Sequence, residues 1–193
     1  MNEHSGHCRA CKERVRELLE AIYGECRANV SFSWPALPQA YGQSAVRESL
    51  ELIRAALGDF RGYRDFIKSA QVPPCDFYVS DPPVIIEFDE SQHFTAPRLL
   101  SLSLYPEDFN QGFPLTRWQE LCRRIGARDD TPIDRDERRA WYDTLRDLIP
   151  SHYGFQPTVS IYAEDTAWCS LDPSCARHLE FFCRAAQGRT LPR

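Results

Sequence analysis

The chain has 193 residues, of which 42% are hydrophobic and 26% charged, with a formal net charge of −5. That length suits one globular domain with a short appendage, able to bury most of the surface its unfolded form exposes. Apolar runs such as Pro83-Val84-Ile85-Ile86 are far too short to span a bilayer. The opening Met-Asn-Glu-His-Ser-Gly-His-Cys lacks the basic-then-apolar pattern of a secretion signal, so the expectation is a soluble, cytoplasmic protein with no membrane partner. The acidic balance argues against nonspecific coating of nucleic acid but leaves room for a local basic patch. Only Lys12 and Lys68 are lysines among the 23 basic residues, and arginine is the better bidentate ligand for phosphate.

His4, His7, Cys8 and Cys11 open the chain, and Cys26 follows the first predicted helix. Eight cysteines in a long chain without a signal argue for metal binding at one cluster and buried thiols elsewhere, not for a disulfide framework. Cys-x-x-Cys beside histidines fits a tetrahedral, structural Zn²⁺ site that pins the N-terminal segment to the domain. Only one such pair is present, so His4, His7, Cys26 or a cysteine of the Cys169, Cys175 and Cys183 group would complete it. An unstructured tail with incidental thiols is the competing reading. A redox role is less apt, because no thioredoxin-like strand precedes the motif.

Val15, Leu18, Leu19 and Ile22 fall at helical spacing and predict a helix from Cys11 to Tyr23, stopped near Gly24. Residues 30–43, with Trp34-Pro35 and Pro38, read as an irregular connection. Ser44 is placed to cap a second helix running to about Leu57. Two short apolar runs, 75–79 and 84–89, are joined by Ser80-Asp81-Pro82-Pro83 and read as a strand, a tight connection and a strand. Residues 95–114 look like an inserted loop. Helices are expected over 115–125 and 136–149, a strand over 156–163, and a last helix over 175–186. The order of elements predicts an α/β or α+β domain.

Pairing Val79 with Val84 sets Phe77 against Ile86 and Cys75 against Phe88, which gives one apolar face. The other face then opposes Tyr78 to Ile85 and Asp76 to Glu87, with Asp89 two positions along. Like charges directly opposed across strands repel, so a cation between them is expected. Mg²⁺ fits, since it takes hard oxygen ligands and keeps several waters. A merely solvated face is the alternative, and a glycosidase-type pair is less apt without an aromatic platform nearby. His93 follows in Glu90-Ser91-Gln92-His93-Phe94 and has the chemistry to activate a water or protonate a leaving group.

Cys75-Asp76-Phe77-Tyr78-Val79, followed by Val84-Ile85-Ile86-Glu87-Phe88-Asp89-Glu90-Ser91-Gln92-His93, resembles the core of the PD-(D/E)XK nucleases. It is most similar to the branch of very-short-patch-repair endonucleases and related small domains. The helix bearing Glu48 resembles the first family helix, and Asp136-Glu-Arg-Arg139 resembles a later one. The resemblance covers roughly residues 44–165. It implies a restriction-endonuclease-like core, with a central mixed sheet flanked by helices, over 44–165 and with an insertion around 95–133. Residues 1–43 would be a zinc-binding helical extension and 166–193 a C-terminal helical tail. The implied activity is Mg²⁺- or Mn²⁺-dependent hydrolysis of phosphodiester bonds. Asp76 and Glu87 would hold the metal, Asp89 and Glu48 would assist, Gln92 or His93 would orient water, and Arg139 would stabilise charge on the phosphate. Two departures stand out: the lysine slot of the Glu-x-Lys motif holds Asp89, and Glu90 replaces the usual glycine.

The implied partner is nucleic acid, chiefly DNA, in a bacterial repair, restriction or phage-defence setting. A homodimer is compatible with double-strand cutting. Arg61, Arg64 and Lys68 with Phe60, Tyr63 and Phe66, then Arg117, Arg123, Arg124, Arg128, Arg135, Arg138 and Arg139, are candidates for a phosphate track. The acidic residues among them, Asp129, Asp130, Asp134, Asp136 and Glu137, offer a competing account as simple ion-pair partners. A nuclease fold that has lost its chemistry and serves in binding or regulation is the alternative function.

Overall fold

The computed structural model describes residues 8–110 and 112–187. Helix α1 spans Arg9–Tyr23 and strand β1 Arg27–Val30, then α2 spans Ala45–Phe60 and the hairpin comprises β2, Cys75–Ser80, and β3, Pro83–Asp89. Helices α3, Ala96–Leu102, α4, Leu115–Ile125, and α5, Arg135–Leu148, precede β4, Val159–Tyr162, and α6, Ala176–Gln187, follows. The four strands form one sheet in chain order. β1 pairs antiparallel with β2 and β2 with β3, whereas β3 and β4 run parallel. Parallel neighbours need a long crossover, and α3, α4 and α5 supply it here.

Strand alternation divides the sheet between two cores. Phe77, Val79, Val84, Ile86, Phe88, Val159 and Ile161 face Val15, Leu18 and Leu19 of α1 together with Trp168 and Phe182. Tyr78, Ile85 and Tyr162 point the other way, into a core with Leu50, Ile53 and Leu57 of α2, Trp118 of α4 and Trp141 and Leu145 of α5. Both faces are therefore covered by helices, and the protein is a mixed α/β structure with a flanked mixed sheet. The segments 8–43 and 166–187 do not trail from the domain: α1 and α6 cover one sheet face together.

Local signals explain most boundaries. The Ser44 hydroxyl accepts from the Arg47 amide and caps α2, and Gly24 closes α1 with its amide on the Glu20 carbonyl. Gly126 ends α4 in the left-handed conformation, at φ 55°. The hairpin register is the expected one, Phe77 against Ile86 and Val79 against Val84, around a tighter turn whose Asp81–Pro82 bond is cis.

Three expectations need correction. Residues 30–43 are not wholly irregular, because β1 ends at Val30 and a 3-10 turn spans Pro38–Tyr41. β1 is four residues long and largely exposed, so it carries no alternating pattern to detect. Residues 95–114 are not simply an inserted loop. Thr95 caps α3 by accepting from the Arg98 amide, with Pro97 in the first turn, and Leu102, Tyr105 and Phe113 join the main core. Finally, Cys75 does not share the face of Phe77; it lies in the opposite core with Tyr78 and Ile85.

The crossover closes on the sheet at Gly112, where a Cβ would come within 2.1 Å of the Thr158 carbonyl oxygen. Backbone on both sides leaves no flexible side chain to yield. Gly112→Ala is expected to lower stability by about 1–3 kcal/mol, the usual cost of forcing atoms into packed space. Urea unfolding of the two chains measures it.

Candidate functional site

The end of the hairpin places Asp76 and Glu87 next to each other. The paired ladder closes at Phe77 and Ile86. Beyond it, the Asp76 amide donates to Glu87 Oε1 at 3.3 Å, and Asp76 Oδ2 accepts from the Phe88 amide at 2.9 Å. Each carboxylate meets a cationic side chain of its own. Lys12 of α1 donates to Asp76 Oδ1 at 2.5 Å, and Arg146 of α5 has Nε 3.1 Å from Glu87 Oε2. The face bearing Glu87 is buried, not solvated, with Glu87 only 7% exposed. Burial pushes the Glu87 carboxyl up to about 8, against the opposing pull of Arg146.

From Arg146 a charged chain runs through α5 to the segment after β3. Arg146 Nη2 donates to Asp143 Oδ1 at 2.7 Å, and Asp143 Oδ2 lies 3.0 Å from His93 Nδ1. His93 Nδ1 is also 3.7 Å from Asp89 Oδ1, and Asp89 Oδ2 accepts from Trp118 Nε1 at 2.8 Å. Burial raises the Asp89 carboxyl, while the Asp143 carboxyl is held below the usual carboxylate range, where the charges of His93 and Arg146 outweigh its burial. Burial lowers His93, but the charge and hydrogen bond of Asp143 outweigh it and the net direction is upward. One turn along α5, Arg98 and Tyr105 both donate to Asp147 Oδ2 at 2.7 Å.

Gln92 and Arg139 sit at the outer side of this network. Arg139 donates to the Gln92 carbonyl at 2.9 Å and to its Oε1 at 3.3 Å, and Gln92 Nε2 donates to Glu90 at 2.9 Å. Asp76, Glu87, Asp89, Gln92, His93 and Arg139 are thus gathered at one end of β3. Glu48 is exposed in the first turn of α2, and among the described residues no hydrogen bond or ion pair joins it to that end.

The sequence reading missed Lys12, Asp143 and Arg146. Arg139, Asp143 and Arg146 recur at i, i+4 and i+7, so they share a helix face, the visible signal in Arg-Ala-Trp-Tyr-Asp-Thr-Leu-Arg. Lys12 gave no signal, because its partner lies 64 residues away.

The basic residues proposed as a phosphate track are largely paired with acids. Arg61 grips buried Glu137 through two bonds of 2.6 and 2.5 Å and also reaches Asp130. Arg64 pairs with Asp59, Lys68 with Asp65 and Asp134, Arg128 with Asp130, and Arg135 with Asp129. Arg117 pairs with Asp165.

A second cluster lies over the other sheet face. One ligand atom each from Cys8, Cys11 and Cys169 falls within 4.8 Å of the others, an arrangement that can hold a metal such as zinc. Cys8 caps α1, its sulfur accepting from the Cys11 amide at 3.3 Å. Cys169 lies in a 3-10 turn, Trp168–Ser170. Burial and the adjoining Cys8 thiol push the Cys11 thiol up to about 12, so that sulfur keeps its proton unless a cation displaces it. Of the other candidate ligands, Cys26 is buried outside this cluster with its thiol raised to about 12 by burial, and His4 and His7 lie outside the described residues. Among the described residues no helix is long and apolar enough to cross a membrane.

Compared with models of protein families, with curated proteins and with solved structures, the chain matches none.

The opposed shifts of His93 and Asp143 fix a pH signature. Asp143 stabilises the fold above its ordinary value of 3.8 and loses this as pH falls through its lowered value. His93 stabilises the fold below its ordinary 6.5, and that contribution fades as pH rises through its raised value. Asp143→Asn is therefore expected to cost most stability between about pH 5 and pH 6.5, and progressively less in alkali. Urea unfolding of both chains across pH reads the difference directly.

Proposed function

We propose that the chain is a metal-dependent nuclease that hydrolyses phosphodiester bonds, chiefly of DNA, in a bacterial repair, restriction or phage-defence setting. The observation that carries the reading is the gathering of Asp76, Glu87 and an Asp143-bound His93 towards one end of β3, with Arg146 bridging Asp143 and Glu87. The resemblance of the hairpin to the PD-(D/E)XK nucleases supports it, as does the flanked mixed sheet on which these residues lie.

A pair of carboxylates is the hard-oxygen chemistry that Mg²⁺ takes while keeping waters. Asp76 and Glu87 would hold the ion, Asp76 through the carboxylate that Lys12 orients and Glu87 once Arg146 turns aside. Such an ion polarises a phosphate and lowers the pKa of bound water. The residues of the chain do the remaining work. Asp143 occupies His93 Nδ1, which leaves Nε2 as the nitrogen that takes a proton from water. Gln92 fixes the Arg139 guanidinium, which then opposes negative charge on the phosphate.

A second reading has its own observation. Lys12 and Arg146 already neutralise Asp76 and Glu87, as expected of a nuclease-fold module that binds nucleic acid or regulates without cutting it.

The test is cleavage of plasmid, linear and single-stranded DNA with Mg²⁺, Mn²⁺ or EDTA. Wild type should cut only with metal, and Asp76→Asn or Glu87→Gln should abolish cutting. His93→Ala should slow it by about 10²–10⁴-fold, the usual contribution of a positioned acid or base. Folded wild type that binds these DNAs and cuts none of them with either metal would establish the second reading instead.

A further inference from the structure

Lys12 is held by the backbone of the turn that begins at Cys8. Its amide donates to the Cys8 carbonyl at 3.2 Å, as the Cys11 amide does at 3.0 Å. From that turn the Lys12 ammonium crosses to Asp76 at 2.5 Å, although its side chain is 40% exposed. An exposed ion pair is weak when two long side chains must be ordered to make it, and the first turn of a helix frays easily. The contact therefore depends on whatever holds that turn in place.

The holding element is visible in the same residues. Cys8 and Cys11 flank the turn, and their sulfurs lie within 4.8 Å of each other and of Cys169, far along the chain. Three thiols at that spacing supply three of the four ligands of a tetrahedral Zn²⁺ site. The same two segments meet again one turn later, where Arg14 Nη1 donates to the Leu171 carbonyl at 2.7 Å.

We propose that a zinc-class cation bound by Cys8, Cys11 and Cys169 locks the first turn of α1 to the 168–170 turn and so holds Lys12 on Asp76. Lys12 is then a positioning residue for that carboxylate. Binding displaces the thiol protons to solvent and involves no redox change. What this means for cleavage rests on the nuclease reading, whereas the metal site and the lysine contact stand apart from it.

The two lysines allow a direct test, because Lys68 serves as an internal reference of similar exposure. The full chain, purified with zinc, is assayed for metal content and for amine acetylation resolved by mass spectrometry. About one zinc per chain is expected, lost in Cys8→Ser, Cys11→Ser and Cys169→Ser and kept in Cys175→Ser. The Lys12-to-Lys68 acetylation ratio should rise several-fold when zinc is chelated and return when zinc is restored. Asp76→Asn should raise the same ratio with zinc content unchanged, which separates the contact from any effect of metal loss on folding. A chain without stoichiometric zinc, or cysteine variants that retain it, would overturn the site. A ratio indifferent to both chelation and Asp76→Asn would overturn the positioning role. If wild type cuts DNA, Lys12→Arg should keep most of the rate and Lys12→Met should lose it, both with zinc bound. If wild type does not cut, the nuclease reading fails while the zinc and acetylation results still decide this one.

Discussion

Arg146 is 7% exposed and stands between two buried carboxylates, Glu87 on the sheet and Asp143 on its own helix. Charges removed from water are stable only when paired and well bonded, so the placement of this guanidinium governs much around it. It fixes the rotation of α5 against β3, because Arg146 must lie over the end of the hairpin while Trp141 and Leu145 enter the core. It also sets the place of Asp143 and, through it, the ring of His93. Asp89 is tied in from the opposite side by the indole of Trp118. Removing the guanidinium would take away the charge that opposes burial at Glu87, so the carboxyl would hold its proton more tightly still.

The second constraint is that both sheet faces are buried. Antiparallel hairpins often leave one face to water, but the parallel pairing of β3 and β4 forces a crossover that covers it. Polar groups on these strands thus either find partners or lie at the strand ends. Asp76, Glu87 and Asp89 all lie towards one end, where helices α1, α4 and α5 each send a side chain to meet them: Lys12, Trp118 and Arg146. The carboxylates therefore mark where the packing of the core gives way to polar chemistry.

Much of this was readable in the amino-acid order. Alternation in two short apolar runs gave the hairpin register, and helical periodicity gave α1, α2, α4, α5 and α6 to within a few residues. The expected carboxylate pair came from extending that register past Phe77 and Ile86, and His93 from its place just after β3. What escaped had physical causes. β1 is short and exposed, so burial left no imprint on it. Helix α3 begins in a stretch containing Pro97, which reads as a breaker but is at home in a first turn. Cys75 lies where the regular ladder has ended, and alternation stops predicting sides at that point. Lys12, Cys169 and Arg146 reach their partners through tertiary contacts, which no local pattern encodes. The cysteine cluster was legible as far as Cys8 and Cys11, and only the fold could choose Cys169 over Cys26.

The layer made of α1 and α6 has a consequence for synthesis. The ribosome makes α1 before the sheet, yet the partners that bury its apolar face are the hairpin and residues 168–186, and the latter emerge only after β4. Val15, Leu18 and Leu19 therefore stay uncovered on one side while residues 24–167 are produced. During that interval the nascent protein offers a sticky helix to chaperones and to neighbouring chains. A product stalled before residue 168 would have the residues of its opposite core in hand and still leave that sheet face partly uncovered, so this surface separates molecules made before that point from those made after it.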